Sequence, residues 1–326
     1  MANIGRFNMR ELSNEFLNSL KNGLLKPVLK RVKQDDTLML AIRDGYINIY
    51  YRGGNLLKIS EMPNFYEFFF DKKYDLSLGH KAYVELNLCE RITESAQIEK
   101  WVTSIARLKE LMDFWFNENP KLEREFQQLV ERENNRSSIS NETEYFVTDI
   151  EMSDSDIGAR FDILAIKWLA TGRKDGKNCK ASFIEMKYGD IALGGTSGLV
   201  KHIEDINKFL SDKINYSKIL KTMTQQFSQL NELGLMNFNQ CTNNTQVEIN
   251  PVEKPEFIFL LANHNPRSMK LQNILKSDEF TKFIDPNLFD LRFSVCSDAG
   301  YGLHSSNMLT YENYINRSDI GILKTV

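Results

Sequence analysis

Two apolar runs, residues 159–166 and 181–188, carry ionisable side chains where a buried strand ordinarily carries none: Asp162 in the first, Glu185 and Lys187 in the second. A charge among apolar neighbours costs several kcal/mol unless it is paired or binds a metal, so such positions call for an explanation. Glu185 and Lys187 are two residues apart and leave a strand from the same face. The turn formers between the runs, residues 171–178, predict an antiparallel hairpin. A register that sets Asp162 opposite Lys187 or Glu185 puts all three on one face, and a slip of one residue sends Asp162 to the other. Two carboxylates and an amine meeting at a strand end suit Mg²⁺, which takes oxygen ligands, keeps several waters and meets substrate phosphates. The amine can orient or deprotonate a water and offset charge developing on phosphorus. Phosphodiester hydrolysis is the matching chemistry. The competing reading is a structural ion pair across a sheet, which leaves the second acid unexplained.

The elements around these runs follow from periodicity. Residues 121–132 place Leu122, Phe126, Leu129 and Val130 on a helical stripe, and residues 144–150 read as a first strand. The hairpin supplies two more strands. Residues 198–210 have helical spacing, a second helix runs near 215–233, and residues 257–262 read as a buried strand. The glycine-rich stretch 188–198 opens the helix at 198, with Thr196 or Ser197 expected as its cap. It matches neither the Walker nor the dinucleotide pattern and reads as a connection.

Asp162, followed by Glu185-Met186-Lys187, each in an apolar strand with a helical segment after it, resembles the D…ExK signature of the PD-(D/E)xK nuclease superfamily over residues 120–265. Phe161 stands where the proline of the motif's name would be. The resemblance implies an α/β fold of mixed α+β sheet type with a restriction-endonuclease-like αβββαβ core, and the chain fits that order with one extra helix. It implies a nuclease hydrolysing nucleic acid, DNA first, and leaving a 5′-phosphate. Mg²⁺, with Mn²⁺ as substitute, would be held by Asp162, Glu185 and the Met186 carbonyl, and Lys187 would serve the attacking water. Such proteins often add a helix glutamate: Glu125 is the first choice, with Glu123 and Glu131 behind it. Asp149 and Glu151, at the end of the first strand, can reach the same region. Lys201 and His202, on the helix bordering the implied cleft, are the candidate substrate-binding residues. The alternative class is a nuclease-like interaction module without turnover.

Composition limits the partners. The formal net charge of −3 over 326 residues gives no global basic footprint, so nucleic acid has to find a local patch. Lys26, Lys30, Arg31 and Lys33, the pair Lys72 and Lys73, and Lys208, Lys213, Lys218 and Lys221 are candidates, most of them read as ordinary solvated faces. The four cysteines and four histidines are scattered and suggest neither a zinc knuckle nor a disulfide framework. No apolar stretch is long enough for a membrane span, and a soluble cytoplasmic protein is expected; a homo-oligomer stays compatible.

Residues 1–95 have a different texture and are expected to form a helix-plus-meander domain, with the nuclease-like domain at 96–326. A helix over 9–20 precedes strands at 37–43, 46–51 and 56–60, joined at Asp44-Gly45 and at Arg52-Gly53-Gly54-Asn55. Tyr46, Tyr50, Tyr51 and Arg52 offer a stacking surface for bases, although strand aromatics more often pack. A long helix over 97–115 bridges the two domains. Beyond the core come a helix at 271–283, a strand at 290–296 and a glycine-rich turn at 300–303.

Overall fold

The run 181–187 is buried along its whole length, the pattern of a strand covered on both faces. A computed structural model describes residues 9–78, 81–154, 159–173, 176–238, 246–265, 268–296, 303, 305 and 308–322; Gly300, Tyr301 and Gly302 of the expected turn lie outside them. The described residues form two sheets and ten α-helices, a mixed α+β protein. They divide into two compact units, Asn8–Arg132 with Ser228–Met236, and Glu133–Phe227 with Asn237–Val326.

The first unit holds α1 (Asn14–Lys21), α2 (Lys26–Gln34), β1 (Leu38–Ile42), β2 (Tyr46–Tyr51), β3 (Gly54–Met62), β4 (Phe65–Phe69), α3 (Ala82–Glu85), β5 (Arg91–Ile92), α4 (Ser95–Glu118) and most of α5 (Leu122–Asn135). Its strands run β1-β2-β3-β4-β5, each antiparallel to the next. The β2–β3 hairpin turns at Arg52 (φ 49°) and Gly53 (φ 73°), two left-handed residues as a primed turn requires. The sheet has five strands rather than three because the aromatic run at 65–70 pairs with β3 as well as burying Phe68, and Arg91–Ile92 pairs with that run in turn. The basic residues 26–33 sit on α2, whose other positions Val28, Leu29 and Val32 are buried. Sequence texture places a boundary near 95, but α4 packs with the meander: Trp101 meets Phe68 at 5.5 Å and Trp115 meets Tyr74 at 5.2 Å. Tyr51 and Arg52 are committed inside this unit, both to Asp113, at 3.0 and 2.9 Å.

The second unit builds a six-stranded sheet from β6 (Tyr145–Asp154), β7 (Ala159–Lys167), β8 (Lys180–Tyr188), β9 (Glu256–Ala262), β10 (Asp290–Cys296) and β11 (Leu309–Thr310), in spatial order β11-β10-β9-β8-β7-β6. Strands β6, β7 and β8 are an antiparallel meander. After β8 the chain passes through α6 (Leu199–Ser211) and α7 (Lys213–Glu232) and returns as β9, parallel to β8; β10 is parallel to β9. Phe161, Phe183, Phe209 and Tyr216 form one aromatic cluster, with centroids 4.8 to 6.5 Å apart, that fastens α6 and the start of α7 over the face from which Phe183 projects. The expected helix at 271–283 is two short ones, α8 (Met269–Leu275) and α9 (Asp278–Thr281), because Ser277 interrupts it and caps the second through the Phe280 N–H. The chain's last described helix is α10 (Tyr311–Ile322). No helix among the described residues is long and apolar enough to cross a membrane.

Candidate active site

The β7–β8 ladder pairs Ile163 with Ile184 and Leu164 with Phe183. The alignment is one of the two expected for the hairpin, and the paired ladder ends one residue short of Asp162. At that point a side chain takes over from the backbone: the Met186 N–H donates to Asp162 Oδ2 at 3.0 Å. All three groups are buried, with Asp162 5 % and Glu185 and Lys187 each 3 % exposed. Lys187 Nζ donates to Glu185 Oε1 at 2.6 Å.

Phe183 is two residues before Glu185 on the same face, so the helix that covers it also covers the acid. His202, on the first turn of α6, brings Nε2 to 2.9 Å from Glu185 Oε1 and to 3.1 Å from the Ser197 carbonyl. Both partners are acceptors, so Nε2 carries the proton. Burial pushes the Glu185 carboxyl up, but the His202 hydrogen bond, the Lys187 charge and the Lys187 hydrogen bond together hold it below the usual carboxylate range. Glu185 is therefore an anion in an apolar site, shared by two cationic or donor groups. His202 thus meets an acid of the site itself. Lys201 is exposed and bonded along its own helix to Asp205 at 2.6 Å.

The expected cap does not form. Gly198 is the residue preceding α6, and no side chain bonds the helix start; Ser197 gives its carbonyl to His202 instead. A Cβ on Gly198 would lie 2.6 Å from the Leu193 carbonyl oxygen and 2.7 Å from backbone atoms of Gly194. Gly198→Ala is accordingly expected to cost about 1–3 kcal/mol by forcing the start of α6 off the sheet, read as a lower midpoint in urea unfolding. An unchanged midpoint shows that the helix start is not anchored here.

The other expected residues are placed as follows. Glu125 lies in the first unit and accepts from Arg52 Nε at 3.1 Å. The buried residues of α5 are Gln127, Gln128, Val130, Glu131, Asn134 and Asn135, with Leu122 and Phe126 outside them, so Glu131 is its buried glutamate. Asp149 is fully buried, beside a bulge in β6, and accepts from its neighbour Ile150 N–H at 2.8 Å and from Gln226 Nε2 at 3.0 Å. Glu151, held at φ 49°, meets Arg160 at 3.5 Å. Cys179 and Cys296 are buried free thiols and Cys89 is exposed; Cys241 lies outside the described residues, as do His80 and His304.

Sequence reasoning missed one pair. His264 Nδ1 lies 2.9 Å from Asp190 Oδ1. The two residues are 74 positions apart, and the available signal was positional: each follows directly on a strand of the same parallel pair.

The donors at Asp162 and Glu185 suit a hard cation in kind, being carboxylate oxygens on adjoining strands with the Met186 carbonyl between Glu185 and Lys187 in the chain. Among the described residues no three His, Cys, Asp or Glu side chains gather as a metal-holding group. Water and substrate oxygens would complete the shell, as Mg²⁺ sites commonly allow. No protein-family model, curated protein or solved structure matches this chain.

Proposed function

We propose that the protein is a Mg²⁺-dependent nuclease, with DNA as its first substrate. The observation that carries the reading is the burial, on two adjoining strands, of the Lys187–Glu185 ion pair and of Asp162, which accepts the N–H of Met186, the residue between that pair in the chain. An element order of helix, three antiparallel strands, helix and a further strand parallel to the third supports the same reading, with α7 as the one addition. This is the order expected of the core that the D…ExK resemblance implies.

Asp162, Glu185 and the Met186 carbonyl would hold the cation. Bound there, Mg²⁺ supplies Lewis-acid polarisation of a phosphoryl oxygen and lowers the pKa of a water. The chain's own groups do the rest. Lys187 orients the attacking water and offsets charge on the phosphorus oxygens, and its buried position keeps that ammonium weakly screened. His202 fixes the Glu185 carboxylate from the helix side, leaving little freedom in the direction of Oε1. Hydrolysis at the P–O3′ bond then leaves a 5′-phosphate.

The same geometry gives one specific reason for the second reading, an interaction module on a nuclease-like scaffold. Glu185 Oε1 is already shared by Lys187 and His202, so a cation has to compete for it. Incubation with plasmid, linear and single-stranded DNA, in Mn²⁺ and in chelator, separates the two. Cleavage in Mn²⁺ that chelator abolishes is expected. Absence of cleavage, with calorimetry showing no Mg²⁺ or Mn²⁺ uptake at millimolar concentration, supports the module.

A further inference from the structure

Strands β8 and β9 are parallel, so the segments leaving them emerge at one end of the sheet, where open α/β sheets place their ligand crevices. The ladder closes at Tyr188 opposite Ala262, with Gly189 N–H donating to the Ala262 carbonyl at 2.8 Å. Both chains then turn through left-handed residues, Gly189 at φ 70° and Asn263 at φ 50°. The next residue of each meets the other: His264 Nδ1 and Asp190 Oδ1 are 2.9 Å apart. Asp190 Oδ1 also accepts from the Asn265 N–H at 3.1 Å. Burial nudges the Asp190 carboxyl up, but hydrogen bonds from Ser268, His264 and Asn265 hold it below the usual range. It is therefore an acceptor, the proton of Nδ1 points to it, and Nε2 is the ring nitrogen that Asp190 does not engage.

This is the arrangement of an imidazole oriented by a carboxylate for proton transfer. In position, Asp190 follows Lys187 by three residues, and His264 follows by three residues Leu261, the partner of Lys187 across the ladder. At about 3.3 Å per residue the dyad lies within roughly 10 Å of that row, at the same end of the sheet as Glu185 and Lys187.

We propose that His264, oriented by Asp190, is the general acid that protonates the leaving O3′ of the nucleic-acid substrate. The inference rests on the nuclease reading. The oxygen of water bonds to phosphorus and its surplus proton passes to bulk water. The P–O3′ bond breaks with its electron pair remaining on O3′, which takes the Nε2 proton of the doubly protonated ring; the ring is left neutral, with its Nδ1 proton hydrogen-bonded to Asp190, and regains a proton at Nε2 from solvent.

The test compares His264→Asn with His264→Ala, in full-length protein with Mn²⁺, on ordinary duplex DNA and on the same duplex with one bridging 3′-sulfur, a leaving group that departs without protonation. Asparagine keeps an amide nitrogen where Nδ1 stood, and so keeps the link to Asp190, but has nothing at Nε2. On ordinary DNA both variants are expected to lose about 100-fold in kcat at unchanged KM. The 3′-sulfur bond is expected to be cut at close to the wild-type rate by both. Recovery of ordinary cleavage by asparagine alone overturns the proposal and makes the dyad a clamp between two loops, as does an equal loss on both bonds. Wild-type protein inert towards all DNA in Mn²⁺ removes the nuclease reading itself, and the proposal with it. Melting curves of both variants accompany the assay; if alanine unfolds, the asparagine variant on the two substrates decides.

Discussion

Asp162→Asn is expected to lower metal-dependent DNA cleavage on the order of a thousandfold or more in kcat, while the melting temperature moves by only a few degrees. The substitution is close to isosteric, and its amide oxygen can still accept the Met186 N–H that Asp162 Oδ2 now accepts at 3.0 Å. What disappears is the negative charge, and with it a hard anionic donor on the strand next to that of Glu185. A structural role predicts the reverse pattern, a loss of stability with cleavage retained per folded molecule. Cleavage of linear DNA in Mg²⁺ and Mn²⁺, measured beside a thermal melt, distinguishes the two, and wild-type rates in the variant would remove Asp162 from the chemistry.

Lys187→Met should carry the largest cost in stability. The Lys187 Nζ and Glu185 Oε1 atoms are 2.6 Å apart, with both side chains 4 % exposed, so losing the amine strands a carboxylate among apolar neighbours with His202 as its remaining ion-pair partner. Breaking a buried pair on one side costs about 3–5 kcal/mol, and a second change that removes the stranded charge recovers part of it. Lys187→Met is therefore expected to unfold at much lower urea, and the double variant with Glu185→Gln at an intermediate concentration. The same pair sets an acid dependence. The Glu185 carboxyl is held below its ordinary value in the folded protein, so the stabilisation is fully present above its unfolded-state value and is lost as pH falls through the lower folded one. Without Lys187 the folded value rises and acid destabilisation begins at higher pH. Urea midpoints from mildly acidic to neutral pH test this, and identical profiles for wild type and Lys187→Met would show that Glu185 draws its support elsewhere.

Local pattern was enough for much of the fold. The strands β7, β8, β9 and β10, the hairpin, and the helices α4, α6 and α7 were legible because burial on a strand or helix face imposes periodicities of two and of 3.6 on the apolar residues. The alignment of β7 with β8, with Ile163 opposite Ile184, is one of the two that the charges had suggested. The fourth strand was hidden because its aromatic residues run without a clear alternation, and the fifth, Arg91–Ile92, because two residues carry no period.

By itself the sequence determined which residues are chemically able, through charges set in apolar strands that burial forces to find partners. Tertiary structure decided which of them meet. It brought His202 onto Glu185 because an aromatic cluster seats α6 on that face, turned the buried side of α5 towards Glu131 and away from Glu125, and joined His264 to Asp190 because parallel neighbours end together however far apart they lie in the chain. The physical reason is range: periodicity records the forces between a residue and its near neighbours, whereas a hydrogen bond across 74 positions is fixed by register and packing that no local pattern contains.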